Sequence, residues 1–477
     1  MNRILLSASL FGLYSFSSAL TYAVPGSAPS NAGIINSPAP IGVSFEFFAW
    51  PSYMKNVSST MTCLSNLKDI SGTWPPVRIG GTTQDRATYD ATSPNDVTYT
   101  VADPKDAPAS LTFGPSFIEL AAQYAGEVTI GFNRRLNNLA NTVAASLKAV
   151  SKIGSLHSIE LGNEPNFFRS SDPIAEGAAW NPTADYASQV KWQTAVCGNT
   201  SKTNLISAGV YFGTSPMSIQ GLTAKEGNAN NYVKEYCSHN YPQSSGNYDL
   251  AKLMSHSGIA NQIKPYAAEV AAAKSLSKQH IFGETNSATQ GGGGISPTYG
   301  AALWILDYAM QTVYMGTRAL YFHQGTVGNC QYCWWGRYSM GAPYFGAYFA
   351  TMALSNADKL VPLDDRTTAY AAYAIYKNNQ PIKVLLYNSD YYTSGTRTTQ
   401  TFTLSGLTAT TITAKRLTGA SATSRIDQGV SPTVAGLKFT NGNCQKTGIE
   451  VIESTSVTNG QATFTVAASE ALLVYLV

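Results

Sequence analysis

Eight short apolar runs, each followed by a longer polar-faced segment, constrain the fold of this chain more than any other feature. The runs are rich in β-branched and aromatic residues, as strands are. They are Ile41–Phe48, Val77–Gly80, Val128–Phe132, Ser158–Leu161, Leu205–Val210, Tyr236–Asn240, His280–Gly283 and Ala319–His323. Strands that alternate with helices run parallel, and eight of them can close into a (β/α)8 TIM barrel. An open doubly wound sheet is the alternative, but eight repeats without a phosphate-binding turn favour the barrel.

The segments between the runs predict helices. One helix is indicated by apolar residues at helical spacing, which are Leu136, Leu139, Val143, Leu147 and Val150. Asp185 predicts the N-cap of a helix that ends at Gly198. Ser296 and Pro297 predict the cap and first residue of another helix, which runs to Gly316.

The pattern changes after about residue 357. Short strands separated by turn residues predict an antiparallel β-sandwich over residues 358–477. The predicted strands are Ala371–Tyr376, Lys383–Tyr387, Thr399–Leu404, Thr410–Arg416, Ala462–Val466 and Ala471–Val477. We therefore expect a catalytic barrel over residues 41–357 and a β-sandwich domain after it, to which residues 24–40 add an edge strand.

The first 23 residues have the pattern of a signal peptide. Arg3 precedes the apolar run Ile4–Leu13, which is too short to span a bilayer, and small residues follow. Cleavage is expected after Ala23, with Ala19 as the alternative, and the protein is expected to be secreted. Only 12% of the residues are charged and the net charge is +3, which argues against nucleic acid or a membrane as partner.

Six cysteines remain after the leader, and in an oxidising compartment they indicate up to three disulfides whose pairing is left open. Cys330 and Cys333 form a CxxC pair without the second pair that a structural zinc site needs, so a disulfide that pins a loop is expected. Asn56 and Asn199 begin glycosylation sequons, which places both on the surface if they are used.

Acidic residues at two strand ends are the strongest indication of chemistry. Glu164 follows the fourth predicted strand within LGNEPN, and Glu284 follows the seventh within FGETNS. In a parallel barrel such ends converge on one mouth, and two carboxylates there can hydrolyse an acetal. Glu46 and Glu160 lie inside predicted strands, so glutamate also occurs elsewhere. The histidines at strand ends, His239 and His323, are expected to line the mouth rather than to bind a metal.

These two motifs, together with the run PVRIGGTTQD at residues 76–85 and SEALLVYL at residues 469–476, resemble glycoside hydrolase family 79, the β-glucuronidase and heparanase-like family. The resemblance covers essentially the whole mature chain. It implies that Glu164 is the acid/base, Glu284 the nucleophile and Asn163 the partner of the 2-hydroxyl. It also implies that Tyr241 holds the nucleophile's carboxylate and that Arg78 keeps this carboxylate ionised.

A sugar carboxylate needs hydrogen-bond donors, and the loop Thr289–Gly294 offers consecutive glycine amides. Gln290, Gly291 and Gly292 are the predicted carboxylate-binding residues, because successive amides can form an anion-binding nest. A flexible loop is the alternative interpretation of four glycines. Some members of the family carry a tyrosine in this loop, and Thr289 and Gln290 stand here instead.

We therefore expect a secreted retaining exo-β-glycosidase that works as a monomer without metal or cofactor. The resemblance indicates a β-glucuronidase that releases glucuronic acid, or its 4-O-methyl form, from a glucuronide-bearing glycan or glycoside. One alternative keeps the mechanism but changes the specificity to a glucoside, a xyloside or an internal glucuronide. Another, of a different class, is a non-catalytic carbohydrate-binding protein. The sequence contains no GxSxG, Walker or GxGxxG motif to support serine hydrolase or nucleotide chemistry.

Overall fold

A computed structural model describes residues 19–476 and confirms the predicted barrel. Each barrel strand pairs in parallel with the next along the chain, and the eighth closes onto the first through Leu320 and Ile41. The strands are β1 (Ile41–Glu46), β2 (Val77–Gly80), β3 (Val128–Phe132), β4 (Leu156–Leu161), β5 (Ile206–Phe212), β6 (Val233–Asn240), β7 (Gln279–Thr285) and β8 (Thr317–Gln324). All eight predicted runs are therefore barrel strands.

Helices surround the barrel. They are α1 (Trp50–Asn56), α2 (Ser59–Ser71), α3 (Pro115–Ala122), α4 (Leu139–Lys152), α5 (Pro182–Thr200), α6 (Ile219–Glu226), α7 (Leu250–Met254), α8 (His256–Ile263), α9 (Tyr266–Ser275), α10 (Tyr299–Met315) and α11 (Pro343–Leu354). Two predicted caps are wrong. Asn181 caps α5 by accepting from the Ala184 N–H, and Thr298 caps α10 by accepting from the Ala301 N–H. In each case the polar residue directly before the helix satisfies the free amides of the first turn.

The buried face of α4 agrees with the prediction only in part: Leu139, Val143 and Val150 pack partly buried against the core. Leu136 precedes the helix, and the side chains of Leu136 and Leu147 are 41% and 44% exposed. The residues that α4 buries are Thr142, Ala145, Ser146 and Ala149. Small and hydroxyl side chains allow close packing, and the hydroxyl of Ser146 donates to the Thr142 carbonyl.

A small sheet is inserted between β2 and α3. Its strands are Ala87–Tyr89, Val97–Tyr99 and Leu111–Phe113. The rings of Phe47, Phe113 and Phe117 pack together beneath it, with centroids 4.5–5.4 Å apart. The insertion therefore has an aromatic anchor at the same end of the barrel as the carboxyl ends of the strands.

The C-terminal domain is the predicted antiparallel β domain. Its larger sheet contains Lys359–Pro362, Tyr370–Lys377, Gln380–Asn388, Thr411–Thr418, Thr433–Val434, Glu453–Ser456 and Glu470–Tyr475, with Gly33–Ile34 at one edge. Its second sheet contains Thr399–Ser405 and Gln461–Ala467, and Leu20–Ala23 pairs in parallel with the first of these strands. An apolar core that includes Phe402, Phe464 and Leu472 lies between the sheets. Two further strands, Lys438–Phe439 and Lys446–Thr447, form a separate hairpin.

The N-terminal segment therefore contributes strands to this domain. Because Leu20–Ala23 belongs to a sheet, cleavage after Ala19 would keep this strand, whereas cleavage after Ala23 would remove it. The cleavage position stays a prediction, since residues 1–18 lie outside the described part of the chain. No helix within residues 19–476 combines the length and the apolar character that spanning a bilayer requires.

Four of the six cysteines form disulfides. Cys330 pairs with Cys333, which confirms the predicted loop disulfide, and Cys63 in α2 pairs with Cys444 in the β domain. Cys197 and Cys237 are free and buried. The side chains of Asn56 and Asn199 are exposed.

Candidate active site

Glu164 lies in a short strained segment after β4. Its backbone φ is +47°, a left-handed value that is uncommon for a residue other than glycine. Its N–H donates to the carbonyl oxygen of Val210 at 3.0 Å. Val210 itself has φ +58° and is an extra residue in β5, because the pairing with β6 shifts between Gly209 and Tyr211. This β-bulge turns the Val210 carbonyl towards the Glu164 segment.

Glu284 lies at the end of β7, where the pairing is also irregular. The register shifts on both sides, and Gly283 is the extra residue opposite β6. A β-carbon added at Gly283 would overlap the Sγ of Cys237 and lie 3.2 Å from Glu160. Only glycine therefore lets β7 approach the buried layer beneath the site.

The two carboxylates meet at the barrel mouth. A carboxylate oxygen of Glu164 lies within 4.8 Å of one of Glu284. The Arg78 guanidinium, which is fully buried, donates to Glu284 Oε2 at 2.5 Å and to Glu160 at 2.8 Å. The Tyr241 hydroxyl donates to Glu284 Oε1 at 2.7 Å. Four residues that the sequence singled out are therefore in one cluster, although they come from four different strand ends.

The surroundings give the two carboxyl groups opposite pKa shifts. Burial raises the pKa of Glu164 to about 8, and the negative charge of Glu284 adds to this shift. Burial alone would also raise the pKa of Glu284, but the positive charges of His323 and Arg78 and the hydrogen bond from Tyr241 lower it well below its usual range. At neutral pH Glu164 is protonated and Glu284 is ionised.

Two polar residues hold the Glu164 segment in place. The buried Asp85 carboxylate accepts the Asn163 N–H at 2.6 Å and the Arg134 N–H at 2.9 Å, so it ties the ends of β3 and β4 together. The Nδ1 of His239 is 3.0 Å from Glu164 Oε1, and burial lowers the pKa of this imidazole to about 4. A neutral histidine therefore fixes the orientation of the protonated carboxyl.

Asn163 is also fixed. Its side-chain oxygen accepts from Arg78 at 2.8 Å, which leaves its amide NH2 group to donate to another acceptor. The segment that carries Glu164 thus also presents a hydrogen-bond donor of set orientation.

Glu46 lies in the site, although the sequence pattern placed it inside a strand. The predicted strand was two residues too long: β1 ends at Glu46, and a 3-10 turn follows. The Glu46 carboxylate accepts from the Thr83 N–H at 2.9 Å and is 3.2 Å from Nε2 of His323. Burial opposes protonation of His323, but Glu284 and Glu46 together raise its pKa.

A cavity of about 590 Å³ opens above the carboxylates. Its wall includes Glu164, Glu284, Gln290 and Gly291. Gly292 is not in this wall, and its N–H donates to the Thr289 carbonyl. Of the three loop residues that the sequence named as a nest, two therefore face the cavity.

The cavity wall also contains residues that the sequence pattern did not indicate. Arg86 and Lys105 from the inserted loop after β2 lie there, with Phe167 and Phe212 on the side of β4 and β5. The conformation of the loops places these residues in the cavity wall. Only Arg86 could have been predicted from the sequence, because it directly follows the motif at residues 76–85.

Two groups of described residues have the spacing of metal ligands. One is Glu164, His239 and Glu284; the other is Glu160, Cys237 and His239. Both contain a carboxylate that already pairs with Arg78, so a cation would have to compete with a buried guanidinium. His239 and His323 belong to no common group of this kind within residues 19–476.

Comparison with known proteins connects this site to characterised enzymes. Residues 372–473 match the model of the glycosyl hydrolase family 79 C-terminal β domain. A β-glucuronidase from Neurospora crassa is 31% identical over 452 residues, with 82% of this chain and 78% of that protein covered. A β-glucuronidase from Aspergillus niger is 29% identical, with 76% and 74% covered. A 4-O-α-L-rhamnosyl-β-D-glucuronidase from Fusarium oxysporum 12S is 71% identical in sequence, and its crystal structure is a Rha-GlcA complex. The match covers 96% of this chain and 100% of that chain, and the two structures superimpose with a TM-score of 0.95.

Proposed function

This chain belongs to glycoside hydrolase family 79 and is a β-glucuronidase, and we propose that it retains the configuration at the anomeric carbon. In this proposal Glu284 is the nucleophile and Glu164 the acid/base. The observation that carries it is the close pair of carboxyl groups with opposite pKa shifts.

The distance supports retention over inversion. Carboxyl groups of retaining glycosidases lie about 5–5.5 Å apart, whereas inverting enzymes need about 6.5–9.5 Å to admit a water molecule. Oxygens of Glu164 and Glu284 within 4.8 Å leave no room for that water.

The proposed reaction has two steps. Glu284 attacks the anomeric carbon while protonated Glu164 gives its proton to the departing glycosidic oxygen. Glu164 then removes a proton from water, which attacks the same carbon and releases Glu284. Arg78 and Tyr241 hold the attacking carboxylate ionised and oriented, and the NH2 group of Asn163 is proposed to donate to the 2-hydroxyl.

The sugar carboxylate is proposed to bind at Gln290 and Gly291. Both line the cavity, and Arg86 and Lys105 add positive charge to its wall. A backbone amide and a cation in a partly closed cavity suit a carboxylate. Gly292 is proposed to support the loop, because its amide is used within it.

A substituted glucuronide is the second candidate substrate. The 71% identical relative is a 4-O-α-L-rhamnosyl-β-D-glucuronidase, and its crystal structure is a complex with Rha-GlcA. The cavity of about 590 Å³, whose wall includes Asp106 and Asn329 as well as the carboxylates, has the size of a site for a ligand of more than one ring. We propose that a rhamnose on the 4-oxygen occupies the part of the cavity that Asp106 and Asn329 line.

Proton NMR of the first-formed product tests the mechanism, and kinetics test the substrate. Hydrolysis of nitrophenyl β-glucuronide should release the β-anomer first, because two inversions restore the configuration. Initial release of the α-anomer would contradict the mechanism. Higher kcat/KM for the 4-O-rhamnosyl glucuronide than for the unsubstituted one would support the second candidate, and the reverse order would contradict it.

A further inference from the structure

We propose that a second cavity beside the active site binds the leaving-group end of a neutral glycan. This cavity has a volume of about 720 Å³ and lies between the end of β5, the loop after β6 and α8. The inference rests on the proposed function, because it assigns a place to the part of the substrate that departs.

The two cavities adjoin one another. Phe212, Tyr241 and Thr289 line both of them. The Phe212 N–H donates to the side-chain oxygen of Asn166 at 2.9 Å, so the shared wall is tied to the segment that carries Glu164. A leaving group that takes its proton from Glu164 is therefore next to Phe212, at the entrance to the second cavity.

Aromatic rings form this entrance. The Phe212 ring lies nearly parallel to that of Tyr241, with an angle of 15° and centroids 6.4 Å apart. The Phe167 ring is 5.2 Å from Phe212, and Phe167 is 54% exposed. The exposed Phe167 ring of the first cavity and the partly buried Phe212 ring that both cavities share offer a flat apolar surface beside Glu164 for the carbon–hydrogen face of a sugar ring.

Beyond the aromatic rings the wall combines apolar side chains, such as Ile259, with polar groups, and it is nearly uncharged. Ser244 and Asn247 supply hydroxyl and amide groups, whereas the Gln243 amide is held by the backbone of Asp249. The two charged residues of this wall, Asp249 and Lys252, have their charged groups 3.6 Å apart and offset each other. Groups of this kind suit the hydroxyls of neutral sugars, in contrast to the Arg86 and Lys105 that line the first cavity.

A blocking substitution tests the assignment. Asn247 and Ser244 lie at the surface end of the cavity wall, so Asn247→Trp or Ser244→Trp can fill the second cavity without disturbing the core. Asn261→Trp, on α8 but outside this cavity, is the matched control. Both blocking variants should lower kcat/KM for a glucuronosyl trisaccharide of neutral sugars at least 10-fold and change kcat/KM for nitrophenyl glucuronide less than twofold.

Calorimetry separates this inference from the proposed function. Neutral trisaccharides of β-linked glucose, galactose or xylose are titrated into the wild type, both blocking variants and the control. Binding of at least one of them to wild type and control, lost in the blocking variants, supports the site even if no glucuronide is hydrolysed. Absence of binding to the wild type, or equal binding by all variants, overturns the inference, as does an equal fall in kcat/KM for both substrates. If the wild type does not hydrolyse nitrophenyl glucuronide, that result contradicts the proposed function instead.

Discussion

At the scale of single residues, two glutamates acquire different chemistry from their neighbours. Glu284 accepts hydrogen bonds from Arg78 and Tyr241, which favour its ionised form. Glu164 has His239 beside it, and this imidazole is neutral. Burial therefore decides the protonation state of Glu164, whereas charge and hydrogen bonds decide that of Glu284.

The pH dependence of kcat/KM follows from these states. The proposed mechanism needs protonated Glu164, whose pKa is raised to about 8, so kcat/KM should stay high at neutral pH and fall about tenfold per unit above pH 8. Phenyl glucuronide, whose leaving group needs a proton, should show this fall. Dinitrophenyl glucuronide is the control and should show a much weaker one. A fall that begins near pH 5 for both substrates would contradict the assignment of Glu164.

At the scale of secondary structure, irregular strand pairing places the carboxylates. The bulge at Val210 supplies the carbonyl that accepts the Glu164 N–H. The bulge at Gly283 directs Glu284 into the mouth, and Cys237 fills the space that a larger residue would need. Both bulges lie next to the site, where they re-aim side chains without breaking the barrel.

Substitution of Gly283 tests this geometry. Gly283→Ala should lower kcat/KM for nitrophenyl glucuronide at least 10-fold, because the new β-carbon overlaps the Cys237 Sγ and displaces β7. Adding Cys237→Ala removes this sulfur and should restore part of the activity, while Cys237→Ala alone stays near wild type. If Gly283→Ala has the same activity with and without Cys237→Ala, the close approach of β7 to Cys237 does not position Glu284.

The sequence pattern predicted the individual strands, but it did not predict contacts between segments that are distant in the sequence. The apolar runs identified all eight barrel strands and, through their ends, both glutamates. The positions of Glu46 and Lys105 depend on where a strand stops and how a long loop folds back, which local pattern does not specify. The predicted face of α4 was right for Leu139, Val143 and Val150, which pack partly buried against the core, and wrong for Leu136 and Leu147, because small side chains of the helix make its closest contacts. Disulfide pairing of Cys63 with Cys444 depends on the domain arrangement.

At the scale of the whole molecule, a buried histidine joins the two domains. The imidazole of His256 in α8 is 2.8 Å from Asp307 in α10 and 2.9 Å from Asp364 in the β domain. The Tyr373 hydroxyl of the larger sheet also donates to Asp307, at 2.5 Å. Burial disfavours the charged imidazole, but the two aspartates outweigh it and raise the pKa of His256 to about 10.

This contact predicts how stability depends on pH. Because the folded-state pKa of His256 lies above its unfolded value of about 6.5, its stabilisation is complete below pH 6.5 and is lost as pH rises through 10. The free energy of unfolding should fall by about 5 kcal/mol across this window, at about 1.4 kcal/mol for each pH unit. Denaturant titrations at pH 6, 8 and 10 measure how the free energy of unfolding changes with pH. This change should be smaller in His256→Gln than in the wild type, and Asp364→Asn should lie between the two. The same pH dependence of the free energy of unfolding in His256→Gln and in the wild type would contradict the role of this histidine.

The central claim is that Glu284 attacks the sugar and Glu164 handles the proton, and azide rescue with dinitrophenyl glucuronide tests it most directly. In Glu164→Ala the glycosyl-enzyme still forms, because this leaving group needs no proton, and azide should then yield the β-glucuronosyl azide. In Glu284→Ala azide should enter from the opposite face and yield the α-glucuronosyl azide. NMR of the isolated azides identifies the anomer. We predict the β-azide from Glu164→Ala and the α-azide from Glu284→Ala. The reverse pairing, or the same anomer from both variants, would contradict the claim.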